Sequence, residues 1–312
     1  MEEDYPRELL EFEKRFSTEE ACREYLIQLR WPNGFICPRC KSTGAWKGSR
    51  CRLICKTCRH QASAIAGTIF QDTRKPLPLW FRVMWHVTSQ KYGANALGIQ
   101  RLLDISSYET AWAWLHKLRR AMVRPGRDKL SGRVEVDETY VGTDEGGQRG
   151  RAVGKKMLVI IAAQEDGKSI GRIRMACIAD ASAKSINPFV NEAIEIESTI
   201  HTDGWEGYSE LKKLGYNHEI TILKNRGKHA AIQCLPRVHR VSALLKRWLL
   251  GTYQGAASAE YLDYYLDEYT FRFNRRTSGS RGKLFYRLVQ QAVQMSPVPY
   301  NYIVKSKKLI FS

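Results

Sequence analysis

The sequence predicts a mixed α/β domain preceded by two smaller modules, a cysteine-stapled ribbon and a helical pair. Three observations predict this order. Four cysteines fall in two C-x-x-C pairs near the N-terminus, helical periodicity dominates up to about residue 123, and the texture turns to β from Arg133. The chain has 312 residues, 43% of them hydrophobic, which suffices for sizeable cores. Glycine (23) and proline (10) are at ordinary levels, so a fibrous or low-complexity chain is excluded. No run of about 18 apolar residues occurs and residues 1–20 carry charge throughout, so neither a membrane span nor a secretory signal is expected. The expectation is a soluble, cytoplasmic protein.

Residues 1–30 read as helical, with Leu9, Leu10, Phe12, Phe16, Ala21, Tyr25, Leu26 and Leu29 near the helical period. A ribbon module is assigned to residues 31–75. Pro76 and Pro78 open an aromatic helix over Leu79–Gln90, followed by helices over Asn95–Asp104 and Tyr108–Val123 with a short break between them. On the last of these, Tyr108, Ala111, Trp112, Leu115, Leu118 and Met122 form one apolar stripe, leaving Glu109, Trp114, Lys117 and Arg120 largely outside it. Two helices joined by a tight turn, the second basic, suggest a helix-turn-helix within residues 76–128, although any small helical bundle shows the same pattern. Strand candidates follow at Arg133–Val141, Met157–Gln164 and Ile170–Ala179, the first two separated by a basic, glycine-rich loop at Gly146–Lys156. A helix at Ala183–Glu195, a strand at Ser198–His201, a helix near Tyr208–Leu214 and a strand at Glu219–Leu223 come next, then helices at Val238–Tyr253 and Ala257–Phe273. Three strands followed by alternating helix and strand make a mixed sheet covered on both faces, over residues 129–295, with a tail at 296–312.

Charge is spread unevenly. Lys and Arg number 50 against 32 Asp and Glu, a net +18; residues 1–36 hold nine acids and five bases, which leaves +22 on the rest. A surplus of that size points to a polyanionic partner, because each cation set against phosphate releases condensed counterions. The competing reading is a basic, solvated surface.

Eight cysteines stand at 22, 37, 40, 51, 55, 58, 177 and 234. Cys37-Pro-Arg-Cys40 and Cys55-Lys-Thr-Cys58 are separated by fourteen residues, room for a short hairpin. Each C-x-x-C turn offers two thiolates to one metal, and four thiolates satisfy tetrahedral Zn²⁺. One structural zinc on Cys37, Cys40, Cys55 and Cys58 is therefore expected, closed to catalysis, with Cys51 as the less symmetrical substitute. Disulfides are disfavoured without a secretion signal.

Two aspartates stand at strand ends near glycine, Asp137 in Val134-Glu-Val-Asp137-Glu-Thr-Tyr and Asp203 in His201-Thr-Asp203-Gly-Trp. An isolated carboxylate on a buried strand is costly unless it is paired or binds a cation. Brought together on adjacent strands, the two could hold hard divalent ions through oxygen. A turn aspartate before glycine is the alternative for Asp203. On the later helix, His239 and Lys246 are seven residues apart and so nearly in line, opposite an apolar face of Val241, Leu244, Leu245, Trp248 and Leu249. Taken alone, that pair also fits a solvated face.

Together these segments, with Arg247-Trp-Leu-Leu-Gly-Thr-Tyr253 and Tyr265-Leu-Asp-Glu-Tyr-Thr-Phe-Arg-Phe-Asn274-Arg-Arg, resemble bacterial zinc-ribbon insertion-sequence transposases from the cysteine knuckles to about Met295. The resemblance implies a ribonuclease-H-like core of DDE type and two catalytic Mg²⁺ or Mn²⁺ ions held by Asp137, Asp203 and His239. It also implies a lysine, Lys246, that approaches the DNA. Many relatives carry Glu or Asn where His239 stands, so the set here reads Asp-Asp-His-Lys. A softer imidazole leaves the site one negative charge poorer, which favours Mn²⁺ relative to Mg²⁺. Glu135, two residues from Asp137 on the same strand face, is a possible substitute carboxylate. The implied activity is cleavage and strand transfer at terminal inverted repeats by two-metal phosphoryl transfer. The expected partner is double-stranded DNA, as repeat ends and as target, contacted by Lys117, Arg120, Arg149, Arg151, Lys155, Lys156, Lys246 and Arg247. Joining two ends implies a homodimer or higher oligomer on DNA, nucleoid-associated when bound. A DNA-binding regulator with an inert core and a ribonuclease-H-like nuclease that cuts without joining are the rival readings.

Overall fold

Alternation of apolar and polar residues along Arg133–Val141 sets Val134 and Val136 in an apolar layer and turns Glu135, Asp137 and Thr139 to the opposite face, and the rest of the domain is arranged around that strand. The computed structural model describes residues 3–124, 126–142, 156–221, 234–254 and 258–305. It divides into two compact units, residues 1–124 with 277–305, and residues 125–276 with 306–312.

In the second unit, β4 (Arg133–Val141), β5 (Met157–Asp166) and β6 (Ser169–Ile178) form an antiparallel meander. A crossover through α6 (Ala183–Ala193) then sets β7 (Thr199–Thr202) parallel to β4, and β8 (Asn217–Ile220) lies parallel to β7. The resulting order β6-β5-β4-β7-β8 is the ribonuclease-H-like mixed sheet. On one face Val134, Val136, Ile160 and Ile200 pack with Ile186, Phe189 and Val190 of α6. On the other, Val159, Ile161 and Ile173 pack with α7 (Pro236–Tyr253) and α8 (Leu262–Phe273) through Val241, Leu245, Leu266 and Tyr269. The segment expected as a helix at Tyr208–Leu214 is instead a single 3-10 turn, Glu206–Tyr208, followed by turns. Gly207 is required there, since a Cβ would lie 2.3 Å from the Ala181 carbonyl oxygen.

The free edge of β6 is closed by side chains rather than by another strand. Asn274 accepts from the Ile173 N–H at 2.7 Å and donates to the Ile173 carbonyl at 3.1 Å, and Asp263 accepts from the Cys177 N–H. A capped edge cannot template pairing with another chain.

Glu135 and Arg237 anchor α7 to β4. Glu135, only 2% exposed, accepts from the backbone N–H groups of Arg237 (2.7 Å) and Val238 (3.0 Å) and pairs with the Arg237 guanidinium at 2.9 Å. A carboxylate at a helix N-terminus also complements the helix dipole. Glu135 is thus fully engaged in fixing α7, and its place as a substitute cation ligand is corrected. Arg237→Ala would strand a buried carboxylate; we expect a loss of about 3–5 kcal/mol, measured by urea denaturation, with Arg237→Lys recovering part of it.

In the first unit, the stretch expected to be helical over 1–30 divides into α1 (Leu9–Arg15) and α2 (Glu19–Arg30). The break comes at Thr18, whose hydroxyl caps α2 by accepting from the Ala21 N–H. The ribbon strands β1 (Ala45–Lys47), β2 (Leu53–Cys55) and β3 (Gln61–Ala62) follow, then α3 (Leu77–Ser89), α4 (Ala96–Leu102) and α5 (Tyr108–Ala121). Beyond residue 276 the chain returns to this unit as α9 (Arg281–Ala292) and α10 (Tyr300–Lys305). Phe285 of α9 sits among Phe12, Phe16, Tyr25, Phe81 and Trp85. The unit containing the sheet therefore ends at Arg276, whereas the sequence pattern runs the catalytic segment on to residue 295.

Helix α5 is buried on two sides. Trp114, expected outside the apolar stripe, is 6% exposed and stacks on Trp80 of α3 at 3.9 Å. Lys117 and Arg120 are consequently half-buried, and desolvation lowers the Lys117 pKa from its ordinary value. The surface left open is at the N-terminal end of α5, where Tyr108 is 47% exposed.

Candidate active site and cysteine knuckles

The two cysteine turns are structural copies of each other. Lys41 N–H donates to the Cys37 carbonyl and Arg59 N–H to the Cys55 carbonyl, with positive φ at both Lys41 (63°) and Arg59 (60°). Left-handed backbone at a non-glycine residue is unfavourable and marks a constrained turn. The Sγ atoms of Cys37, Cys40, Cys55 and Cys58 all lie within 4.8 Å of one another, with Cys37–Cys58 and Cys40–Cys55 each at 3.6 Å. Those separations match the edges of a tetrahedron built on metal–sulfur distances of about 2.3 Å. Hydrogen bonds from Ser42 hold the Cys40 thiol down to about 6, favouring the thiolate. Cys51 lies outside the cluster. Trp46 of the ribbon is 43% exposed and carries the Arg59 guanidinium 4.5 Å from its ring centroid.

In the α/β unit, the parallel register of β4 and β7 pairs Arg133 with Thr199 and Glu135 with His201. Continued two residues further, it sets Asp137 beside Asp203, which follows the carboxyl end of β7. Asp137 itself, expected at a strand end, lies midway along β4, because pairing with β5 carries that strand on to Val141. Ligands of open α/β sheets gather at the carboxyl ends of parallel strands such as β7. Both aspartates line one cavity of about 1130 Å³, together with Glu138, Lys156, Asp180 and Trp205. Asp203 also accepts from the Trp205 N–H at 3.0 Å, the contact of a turn aspartate.

His239 stands two residues into α7 from the Glu135–Arg237 anchor. Its Nδ1 lies 3.8 Å from an Asp137 carboxylate oxygen, close enough for an ion or water between them but outside hydrogen-bond length. One turn on, Ser242 donates to the Thr139 hydroxyl at 3.1 Å and fixes the helix register against β4. Burial pushes the Asp137 carboxyl up to about 6; His239 and Lys246 act against this and Asp203 adds to it. The Lys246 ammonium is held below its ordinary value by desolvation and by Lys156, with Asp137 opposing. Asp137, Asp203, His239, Lys246 and Lys156 thus share one electrostatic neighbourhood, and Arg247 is exposed on the same helix. Arg149, Arg151 and Lys155 lie outside the described residues.

Sequence reasoning missed Glu138. Strand alternation assigns it to the face opposite Asp137, where its carboxylate accepts from the fully buried Tyr208 hydroxyl. Glu138 nevertheless lines the same cavity as Asp137. Burial pushes its carboxyl up to about 7, countered by Tyr208 and reinforced by Asp137 and Asp203. The only signal in the sequence is its adjacency to Asp137.

Among the described residues, no trio of acidic and histidine ligand atoms gathers within 4.8 Å. The donor set of two carboxylates and one imidazole fits Mg²⁺ or Mn²⁺.

A ribonuclease-H-like sheet with two aspartates on neighbouring strands, preceded by a four-cysteine ribbon, fits a transposase of DDE type, and the domain matches bear out that class. Residues 129–274 match the ISXO2-like transposase domain, and residues 17–61 match the transposase zinc-ribbon domain. The two matched domains are those of the zinc-ribbon insertion-sequence transposases. An uncharacterized protein in transposable element ISH50 of Halobacterium salinarum is 25% identical over 217 residues, covering 64% of this chain and 71% of that one. Among solved structures, the Mos1 transposase paired-end complex with left transposon end gives 13% identity and a TM-score of 0.32 over 74% of this chain and 80% of that one. The Mos1 strand transfer complex gives 12% identity and a TM-score of 0.22 over 63% and 75%. No helix among the described residues is long and apolar enough to cross a membrane.

Proposed function

We propose that the protein is a cytoplasmic transposase that binds the terminal inverted repeats of its insertion sequence, cuts at the element ends and joins them to a target. The observation supporting this reading is the meeting of Asp137, on β4, and Asp203, just past β7, in one cavity, with the His239 ring brought to Asp137 by an anchored helix. Asp137 would lie between two Mg²⁺ or Mn²⁺ ions, with Asp203 completing one set of ligands and His239 the other. When bound, such ions supply charge stabilisation to the attacking and leaving oxygens of an in-line displacement.

The side chains orient this chemistry. Glu135 and Arg237 set the height of α7, and the Thr139–Ser242 bond sets its rotation, so His239 and Lys246 face the acids. Lys246, backed by Lys156 and Arg247, would hold a phosphate next to the scissile bond as a point charge. Water attacks the phosphorus at the element end; the P–O3′ bond breaks and the 3′-oxygen leaves as a hydroxyl. That hydroxyl then attacks a target phosphorus, forming a new P–O3′ bond as the target 3′-oxygen departs. No covalent enzyme intermediate is needed.

One structural Zn²⁺ in the cysteine knuckles would fix the ribbon, which with α4 and α5 would read the repeats. Lys117 and Arg120, being half-buried, would contribute through their tips, and the exposed N-terminal end of α5 would face the groove. Two ends require two sites, hence a homodimer or larger assembly on DNA. The test is incubation with DNA flanking its own gene, in Mg²⁺ or Mn²⁺, with mapping of the cut and joined ends. Cuts at the element termini with joining to a second duplex are expected. Cuts that never join would leave a nuclease, and binding without cuts a regulator.

A further inference from the structure

Arg174 of β6 is the anomaly in the charge distribution of the α/β unit. It is 5% exposed, yet both hydrogen bonds of its guanidinium go to backbone carbonyls, of Ile173 at 2.9 Å and Asp128 at 2.6 Å. Three more guanidiniums act on it, from Arg127, Arg172 and Arg275. The acids nearby are loosely placed: Asp128 lies 3.9 Å from Arg172 and Glu192 lies 3.8 Å from Arg127, with side chains 74% and 53% exposed. The guanidiniums of Arg127, Arg172, Arg174 and Arg275 thus gather at one corner of the sheet, with Asp128 and Glu192 as screened acids beside them. Gathering them is unfavourable unless an anion shares the corner. Arg127 and Arg172, 29% and 38% exposed, present that charge to solvent.

The corner lies on the same sheet face as the candidate cavity. Arg174 precedes Ile178, a cavity-lining residue on the same strand, by four positions, about 13 Å of strand. That is roughly the rise of four base pairs. We infer that the arginine corner formed by Arg127, Arg172, Arg174 and Arg275 is a docking surface for backbone phosphates of duplex DNA, holding the duplex a few base pairs from the bond that is cut. Guanidinium forks suit phosphate oxygens, and the corner offers no base-reading element, so its contacts are blind to sequence. Arg174 is the positioning member, fixing the backbone at Asp128, while Arg127 and Arg172 reach the phosphates. This rests on the transposase reading above.

The test is fluorescence anisotropy of the full chain against two labelled duplexes, the element end and a scrambled sequence of equal length, across 50–250 mM KCl. The double variant Arg127→Gln/Arg172→Gln should make the plot of log affinity against log salt shallower by about 1.8, and Arg127→Gln alone by about 0.9. Both duplexes should weaken equally, leaving their affinity ratio unchanged. Lys213→Gln, an exposed lysine elsewhere on the unit, should match wild type. Arg127→Gln guards against misfolding, because Arg127 makes a single long ion pair. Steep wild-type binding with unchanged slopes in the variants would overturn the corner alone, as would a loss confined to the element end. A wild-type chain that binds neither duplex would overturn the transposase reading and the corner with it.

Discussion

Asp137→Asn is expected to make the cation-free protein more stable at pH 7 while abolishing DNA cleavage. The stability gain follows from the raised carboxyl. The folded state holds the Asp137 proton until about pH 6, whereas an ordinary aspartate releases it near 3.8. Below 3.8 both states are protonated and the variant gains nothing. Between 3.8 and 6 the folded state binds more protons than the unfolded one, so wild-type stability falls as pH rises, and above 6 the loss is complete. A neutral amide removes that penalty, on the order of 2–3 kcal/mol. Urea denaturation of both proteins at pH 4 and pH 7 reads the difference directly. Mg²⁺ or Mn²⁺ should reverse the ranking at saturation, since a cation at 1,000 times its dissociation constant stabilises wild type by about 4.1 kcal/mol and leaves the variant unaffected. Cleavage should fall by at least about 10²–10³-fold, with binding to element ends retained. A variant no more stable than wild type at pH 7, or one that still cuts, would break the link between this carboxylate and the cations.

Removing the metal from the cysteine knuckles should unfold the ribbon and leave the α/β unit standing. The ribbon strands are only three, three and two residues long, and three-residue strands do not hold a fold by themselves. Its positive-φ residues at Lys41 and Arg59 are held by the turn geometry alone. Structural zinc contributes apparent free energies of about 10–16 kcal/mol in small fingers, far beyond what so little apolar burial supplies. Chelation, or Cys55→Ser, should therefore open residues 31–62 to proteolysis, abolish recognition of element ends and release one equivalent of zinc. The sheet unit should keep its own thermal transition. A ribbon that resists protease after chelation would show that the knuckles do not depend on metal.

The features readable in the sequence were those encoded locally. C-x-x-C spacing fixes its own turn, so the four cysteines were legible as one cluster. The two aspartates were legible as isolated carboxylates on or beside apolar strands, Asp203 just before Gly204, and the β4–β7 register then brings them together. What escaped depended on partners distant in the chain. Glu135 reads as a spare ligand until Arg237, 102 residues away, takes it. Glu138 reads as pointing away from Asp137, and only the shape of the cavity, lined by both, makes it a neighbour. Trp114 and Lys117 lie off the single apolar stripe of α5, but α3 supplies a second burying surface through Trp80. Likewise nothing local announces that Phe285 belongs to an aromatic cluster with Phe12 and Phe81.

The most direct test of the active-site claim is anomalous diffraction from crystals of the full chain soaked in Mn²⁺. Two manganese peaks are expected on either side of the Asp137 carboxylate, one ligated by Asp203 and the other by His239. Peaks remote from Asp137, or a His239 ring turned away from any ion, would contradict the account.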